Sequence, residues 1–200
     1  MLVYNSRLSN VPVLSVQTSN AIAEISTPIV DPDKLKIIAF EVTGPMINAT
    51  NCILDTNSIR EYSRLGIIID SIEELVSTND VIRIKKVLEL NFNLIGLKVE
   101  TKKGTKLGHV SDFTVTPEDF LIKQIIVKRP TLKAFVDPEL TIPRTEIVEI
   151  TDYKIIVRDE EKTIKARASK EDFIPNFVNP FREKQPGFAS ADTKENSDKS

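Results

Sequence analysis

The sequence is poor in the side chains that carry most reaction and metal chemistry. Its 200 residues include one His, one Cys and no Trp, and aromatic residues make up 6% of the chain. His109 and Cys52 are too few for a structural zinc site, which takes four such ligands. Any His-dependent catalytic scheme would rest on His109 alone. We therefore predict no enzyme, no cofactor and no metal. We expect His109 to be a solvated strand side chain and Cys52 a plain loop residue.

Long apolar runs are also lacking. No segment reaches the ~18 consecutive apolar residues that a membrane-spanning helix needs. The first residues lack the basic start and apolar run of a signal peptide. A lone Cys has no intramolecular disulfide partner, which fits a reducing compartment. We therefore expect a cytoplasmic protein without a membrane span. Glycine-rich phosphate-binding motifs are absent as well.

What the chain does contain is typical of a soluble globular protein, with 40% hydrophobic and 28% charged residues. Its core must rest on Ile, Val and Leu. The net charge of −2 hides an asymmetry, because residues 1–80 carry five basic and ten acidic side chains. Residues 81–200 carry twenty-two basic and nineteen acidic ones. The sequence therefore predicts an acidic first part and a mildly basic second part.

The sequence contains an internal repeat. Residues 22–42 align with residues 107–127 at a constant offset of 85, and residues 65–69 align with 153–157 at an offset of 88. The matched pairs include Ile22 and Leu107, Ile25 and Val110, Val30 and Val115, Pro32 and Pro117, and Leu35 and Phe120. Two copies of one design are expected, with a longer loop in one of them.

Both copies have the pattern of β-structure. Short runs rich in β-branched residues alternate with Pro, Asn, Asp and Ser, which predicts successive strands and turns. Pro32 and Pro117 stand second in two predicted tight turns, each closing a hairpin. Residues 43–57 are predicted to be a loop.

Residues 71–91 differ from their surroundings. Ser71 and Glu74 have the spacing of a helix capping box, and further on apolar residues recur at helical spacing. We predict one short helical turn and then a helix of about three turns. The predicted organisation is a first domain over 1–70, a helical linker over 71–92, a second domain over 93–160, an apolar segment over 161–186 and a disordered tail over 187–200.

Part of the second copy resembles the PRC-barrel family. The resemblance rests on residues 94–99 (LIGLKV), Gly104, residues 106–110 (KLGHV) and Asp112, and it extends over 94–158. It reaches the first copy only through the repeat. It implies a mainly all-β protein of two small PRC-barrel-like β-barrels joined by a short helix, similar to a tandem PRC-barrel protein of bacterial type.

The resemblance also implies a function. Members of the family bind other proteins, and no catalytic residues define them. We therefore predict a non-catalytic module that binds or scaffolds a macromolecule, most simply a protein. The predicted contact residues in the second copy lie in the hairpin around Lys102, Lys103 and Lys106.

Two alternatives remain open. Lysines of the second copy are numerous enough to form an RNA-binding or ribosome-binding face, although a pI of 5.6 and few aromatic residues favour a protein partner.

The second alternative concerns three phenylalanines in an apolar segment. They either dock into a groove of a partner or fold back over the protein's own barrels, the reading we favour. These residues are Phe173, Phe177 and Phe181.

Overall fold

β-Branched runs bounded by turn residues form strands along most of the chain, which confirms the predicted all-β class. The structure, a computed structural model, describes residues 1–45, 47, 51–130 and 138–159. All of these residues belong to a single compact unit. The predicted apolar segment and the predicted tail lie outside the described residues.

The strands form two sheets. The first contains β2 (Pro12–Ser15), β3 (Asn20–Asp31), β4 (Lys36–Thr43), β5 (Cys52–Asp55), β6 (Glu61–Tyr62), β7 (Ile67–Ile69) and β8 (Leu75–Ser77). The second contains β1 (Val3–Tyr4), β9 (Lys98–Thr101), β10 (Lys106–Val115), β11 (Ile122–Lys128), β12 (Glu139–Pro143), β13 (Ile147–Ile150) and β14 (Lys154–Val157). Four short 3-10 helices accompany them at Asn5–Arg7, Thr56–Ser58, Ile72–Glu74 and Arg144–Glu146.

The two sheets share one strand arrangement. The first has the order β6-β7-β2-β3-β4-β5-β8, and the second has the order β13-β14-β9-β10-β11-β12, with β1 added beside β10. In each sheet the central short strand pairs antiparallel with the following long strand and parallel with a later one. Val13 faces Ala23 and Ile67, as Val99 faces Gly108 and Ile155.

These pairs give the structural equivalence of the two repeats. Equivalent residues lie 85 positions apart in β3 and β4, 86 apart in β2, and 88 apart from β5 onward. The pairings of the described strands run as open sheets, so the closed barrels that we predicted are not formed by them. The predicted all-β class is confirmed, whereas the predicted closure of each repeat into a barrel is not seen in the described strands.

Several predicted boundaries differ from the structure. β1 belongs by sequence to the predicted first domain, yet Val3 and Tyr4 pair with β10 of the second sheet. β8 lies within the predicted helical linker, yet it pairs with β5. Cys52, predicted to be a loop residue, begins β5 and is buried in the core. Short local patterns do not reveal these pairings because each depends on a distant strand.

A helix follows the first sheet, as predicted. α1 (Ile82–Glu89) has eight residues, somewhat shorter than expected. Its Ile84 is fully buried and packs with Ile29, Ile38 and Ile53 on one face of the first sheet. Arg83 also forms an ion pair with Asp55 of β5. The helix therefore covers the first repeat instead of only linking it to the second.

The two repeats meet at their equivalent hairpin turns. The N–H of Ile37 donates to the carbonyl of Phe120 (3.1 Å), and the N–H of Ile122 donates to the carbonyl of Leu35 (2.9 Å). Because 37 and 122 are equivalent, as are 35 and 120, the contact is reciprocal, as in a twofold dimer interface. Leu35 and Phe120 both have positive φ, at 45° and 55°.

Around this contact the two repeats share one core. The Phe40 and Phe120 rings meet edge to face with centroids 5.4 Å apart, an arrangement that aromatic pairs favour. One cluster of buried apolar residues includes both rings and extends from β2 of the first sheet to β14 of the second. The repeats are therefore not two independent globules, and the outer face of each sheet is the side turned away from this core.

The predicted proline turns are confirmed at this junction. A carboxylate oxygen of Asp31 accepts hydrogen bonds from the N–H groups of Asp33 and Lys34, at 3.0 and 3.2 Å. In the second repeat the hydroxyl of Thr116 donates to Asp119, which lowers the pKa of that carboxyl below its ordinary value. Both turns thus rest on an Asp carboxylate bonded within the turn.

Candidate functional site

The outer faces of the two sheets differ in chemistry. In the first sheet this face is apolar at the positions covered by α1, which are Ile29, Ile38 and Ile53. The equivalent residues of the second sheet are the polar Thr114, Lys123 and Thr141. Within the described residues α1 is the only α-helix, so no second α-helix covers these positions, although Thr114 is buried and only Thr141 is exposed. That face is the main chemical difference between the repeats.

Part of this polar face is a row of basic side chains, which we name the basic row. It consists of Lys128, His109, Lys98 and Lys154, on β11, β10, β9 and β14. His109 is paired with Lys128 on one side and with Lys98 on the other, and Lys98 is paired with Lys154. Paired residues of neighbouring strands lie on the same face, with Cβ atoms about 5 Å apart. The row therefore crosses four adjacent strands.

Most of the basic row is open to solvent. Lys98, His109 and Lys128 are exposed, and none of them forms an ion pair with another described residue. Lys154 is partly covered: its ammonium lies 3.6 Å from a carboxylate oxygen of Glu100 and 5.8 Å from the centroid of the exposed Tyr153 ring. Three of the four members thus remain available to a partner's negative charges.

Acidic residues bound the row. Glu139 is paired with Lys128 at the outer end. Glu100 lies on the same face as Lys98, two residues along β9, and is paired there with Lys106. The first repeat has no such row, because its equivalent residues are Thr43, Glu24, Pro12 and Gly66. The charge asymmetry seen in the sequence is therefore concentrated on one face of the second sheet.

The three predicted hairpin lysines lie at the exposed end of the β9–β10 hairpin. The Lys102 N–H donates to the Val157 carbonyl (3.0 Å), and the Lys103 N–H donates to the Asp159 carboxylate (3.0 Å). Lys106 shares the face of the basic row and is paired with Glu100, two residues along β9 from Lys98. Phe173, Phe177 and Phe181 lie outside the described residues. The sequence predicted that lysines of the second repeat could share one face. It did not show that His109 lies between Lys98 and Lys128, because this contact depends on strand register.

A shallow cleft marks the junction of the repeats. It has a volume of about 280 Å³ and is lined by the first hairpin turn and by β13. Arg144 lies beside it and donates to the Leu35 carbonyl at 2.9 Å. This hydrogen bond ties the guanidinium to the junction, so its main effect is to hold the two repeats together.

The two most reactive side chain types, the Cys52 thiol and the His109 imidazole, lie in different environments. Burial raises the pKa of the Cys52 thiol above its ordinary value, and the backbone hydrogen bond with Ile53 only partly offsets this effect. The thiol is therefore protonated and shielded at neutral pH. His109 is exposed between two lysines. Among the residues that the structure describes, no three His, Cys, Asp or Glu side chains are gathered to hold a metal ion.

The arrangement is that of a small, mainly β module with an exposed charged sheet face. Residues 89–171 match the model of the PRC-barrel domain, so the chain carries a PRC-barrel domain over its second repeat. This match confirms the predicted PRC-barrel resemblance of the second repeat, whereas the tandem arrangement and the bacterial type stay predictions. No curated protein matches the chain.

The described part of the chain has no helix of the length and apolar character needed to cross a bilayer.

Proposed function

We propose that this chain is a non-catalytic tandem PRC-barrel protein that binds and scaffolds another protein in the cytoplasm. The observation that carries the proposal is the basic row on the second sheet, of which Lys98, His109 and Lys128 are exposed. The first repeat uses the equivalent side to receive its own helix, whereas the second presents charged side chains. The buried free thiol of Cys52 fits a reducing compartment.

The first repeat supports the tandem part of this proposal. It repeats the strand order of the second, including the parallel pair of a central and a later strand. A duplicated domain explains both the shared arrangement and the reciprocal hydrogen bonds between the hairpin turns. In this scheme the first repeat stabilises the assembly and the second provides the contact surface.

A non-catalytic role is supported by how the reactive groups are placed. Cys52 is buried in the core, and the pKa of its thiol is raised. Acid–base catalysis needs a titratable group held against a substrate by convergent side chains. His109 instead stands on an open sheet face between Lys98 and Lys128.

A ribosome- or RNA-associated assembly factor is the second candidate. The basic row and the hairpin lysines favour it, because lysines gathered on one face attract phosphate. Glu100 and Glu139 weigh against it, since they place carboxylates at the margins of that surface. A protein partner accommodates such mixed charge more readily than a phosphate backbone does.

Affinity purification with mass spectrometry tests the choice. The full chain serves as bait at about 0.1 M and 0.5 M salt, with and without ribonuclease. We expect one protein to be recovered in a fixed ratio whether or not ribonuclease is present, and to bind again when both proteins are purified. Recovery that ribonuclease abolishes would favour the RNA candidate. The absence of any protein that binds the purified chain would refute the proposal.

A further inference from the structure

The basic row carries a further inference, which rests on the proposed function and names the partner's chemistry. Lys128, His109, Lys98 and Lys154 are adjacent in register. Two of its members, Lys98 and Lys154, are like charges placed directly opposite each other, an arrangement that destabilises a sheet. The fold does not require them, because Thr43, Glu24, Pro12 and Gly66 occupy the equivalent places in the first repeat. A row of basic side chains that folding does not need, with two lysines directly opposed, indicates a binding role.

We propose that the basic row binds an acidic helix of a partner protein, laid across the strands of the second sheet. Neighbouring strands lie about 4.8 Å apart, so the four members span roughly 14 Å. Residues three or four apart on a helix have Cβ atoms about 5–6 Å apart. Carboxylates with that spacing therefore match successive members of the row over two to three helical turns.

The first repeat shows how such a helix is held. α1 lies on the outer face of the first sheet, where Ile84 contacts three strand isoleucines and Arg83 pairs with Asp55. The second sheet has Thr114, Lys123 and Thr141 at the places of those isoleucines, and Thr114 is buried. The basic row lies farther along the same face, so a helix bound to it makes ionic contacts in place of the apolar contacts that hold α1. The exposed Tyr153 beside Lys154 offers one aromatic contact at the end of the row.

The observations favour a protein segment over nucleic acid. A phosphate backbone carries a charge at every nucleotide and is repelled by the carboxylates of Glu100 and Glu139 at the margins of the row. A helix with a few spaced carboxylates avoids those positions. The chain as a whole has a net charge of −2, unlike the basic domains that bind nucleic acid.

Defined probes test the inference on the full chain. One is an alanine-rich peptide of about 20 residues with glutamates at i and i+4 along one face. Its control peptide has the same composition with the glutamates spread around the helix. The third is a single-stranded oligouridylate of similar charge. Binding is measured by fluorescence anisotropy at low salt, and the site is located by amide chemical-shift changes.

The variants are matched in charge. Lys98→Glu with Lys128→Glu reverses two members of the row, whereas Arg64→Glu with Lys85→Glu reverses two exposed charges of the first repeat. We expect the row variant to weaken binding of the striped peptide about tenfold or more, and the control variant to change it by less than about twofold. We also expect the striped peptide to bind more tightly than either other probe. Circular dichroism verifies that both variants are folded.

Three results would overturn the inference. The first is a row variant that binds the striped peptide as well as the original chain does. The second is an oligouridylate that binds more tightly than the peptide and is lost with the same variant, which assigns the row to nucleic acid. The third is a chain that binds neither probe. If the purification identifies a protein partner that the row variant still binds, the proposed function stands and only this inference fails.

Discussion

Gly108 shows how a single residue fixes the shape of the second sheet. It lies in β10 at a register shift and has a φ of 145°, a conformation that L side chains rarely adopt. A Cβ at this position would lie 2.0 Å from the Lys128 carbonyl oxygen. The glycine thus allows β10 and β11 to approach closely just where His109 and Lys128 pair.

Replacing Gly108 by Ala is expected to destabilise the protein by about 2–4 kcal/mol, because backbone strain adds to a main-chain clash. Gly104→Ala is the matched control. Gly104 also has a positive φ, 82°, but a Cβ there meets no atom within 4 Å, so we expect about 1 kcal/mol. Urea unfolding measures both changes in free energy. Equal losses of unfolding free energy in the two variants would show that the close approach of β10 and β11 does not make Gly108 necessary.

Cys52 provides a test of core burial. Because burial raises the pKa of its thiol and shields it, we expect a disulfide reagent to label the native protein far more slowly than the unfolded protein. The raised pKa keeps the thiol protonated in the folded state to a higher pH than in the unfolded state. Its contribution to the unfolding free energy is therefore lost as the pH rises above 9.0, the ordinary value. The Cys52→Ala variant should lack this pH-dependent part of the unfolding free energy. Equally fast labelling of the native and the unfolded protein would contradict the burial of Cys52.

At the scale of elements, α1 is the clearest difference between the repeats. Amphipathic spacing predicted the helix, yet the face that it covers depends on the register of three strands. Helices as short as eight residues are marginal in isolation. The stability of α1 must therefore come from packing against the first sheet.

Ile84→Ala is expected to lower the unfolding free energy by about 2–4 kcal/mol, since Ile84 is fully buried between α1 and the sheet. Ile82 is 70% exposed on the same helix, and Ile82→Ala should change the free energy by less than about 0.5 kcal/mol. Chemical denaturation followed by circular dichroism compares the two. Similar losses would mean that α1 does not depend on its sheet contacts.

At the scale of the molecule, the two repeats share one core. Phe40 of the first repeat and Phe120 of the second are both buried, and their rings are in contact. The reciprocal hydrogen bonds between the hairpin turns reinforce this junction. We therefore expect loss of packing in one repeat to weaken the other.

Phe40→Ala is expected to lower the unfolding free energy by about 3–5 kcal/mol and to reduce amide protection in β10 and β11 as well as in β3 and β4. Hydrogen exchange read by mass spectrometry locates the loss. Ile84→Ala is the control, because Ile84 belongs to a cluster confined to the first repeat and α1. Should Phe40→Ala leave protection in the second sheet unchanged, the repeats would be energetically independent.

Local chemistry made much of this protein predictable. The repeat, the two proline turns, the helix after the first sheet and the all-β class all follow from patterns of neighbouring residues. The boundaries of the strands followed less well, because β1, β5 and β8 take their partners from distant parts of the chain. No pattern within the first few residues could show that Val3 pairs with Val115.

The candidate site was likewise only partly predictable from the sequence. The sequence showed that the second repeat is rich in lysine, and it named Lys102, Lys103 and Lys106 at a hairpin tip, where turn residues reveal their position. It did not show that His109 stands between Lys98 and Lys128. Which side chains are neighbours across strands depends on register, and a shift by one residue would place a strand's side chains on the opposite face.

By itself, then, the sequence determined the kind of elements, their duplication and the charge contrast between the two halves, because these arise from side chains close along the chain. Only the tertiary structure decided that the halves share a core at Phe40 and Phe120. It alone also decided that one outer face is covered by α1 while the other displays the basic row. Both outcomes depend on contacts between residues from 11 (Lys98 and His109) to 80 (Phe40 and Phe120) positions apart, whose geometry is set by strand pairing and packing.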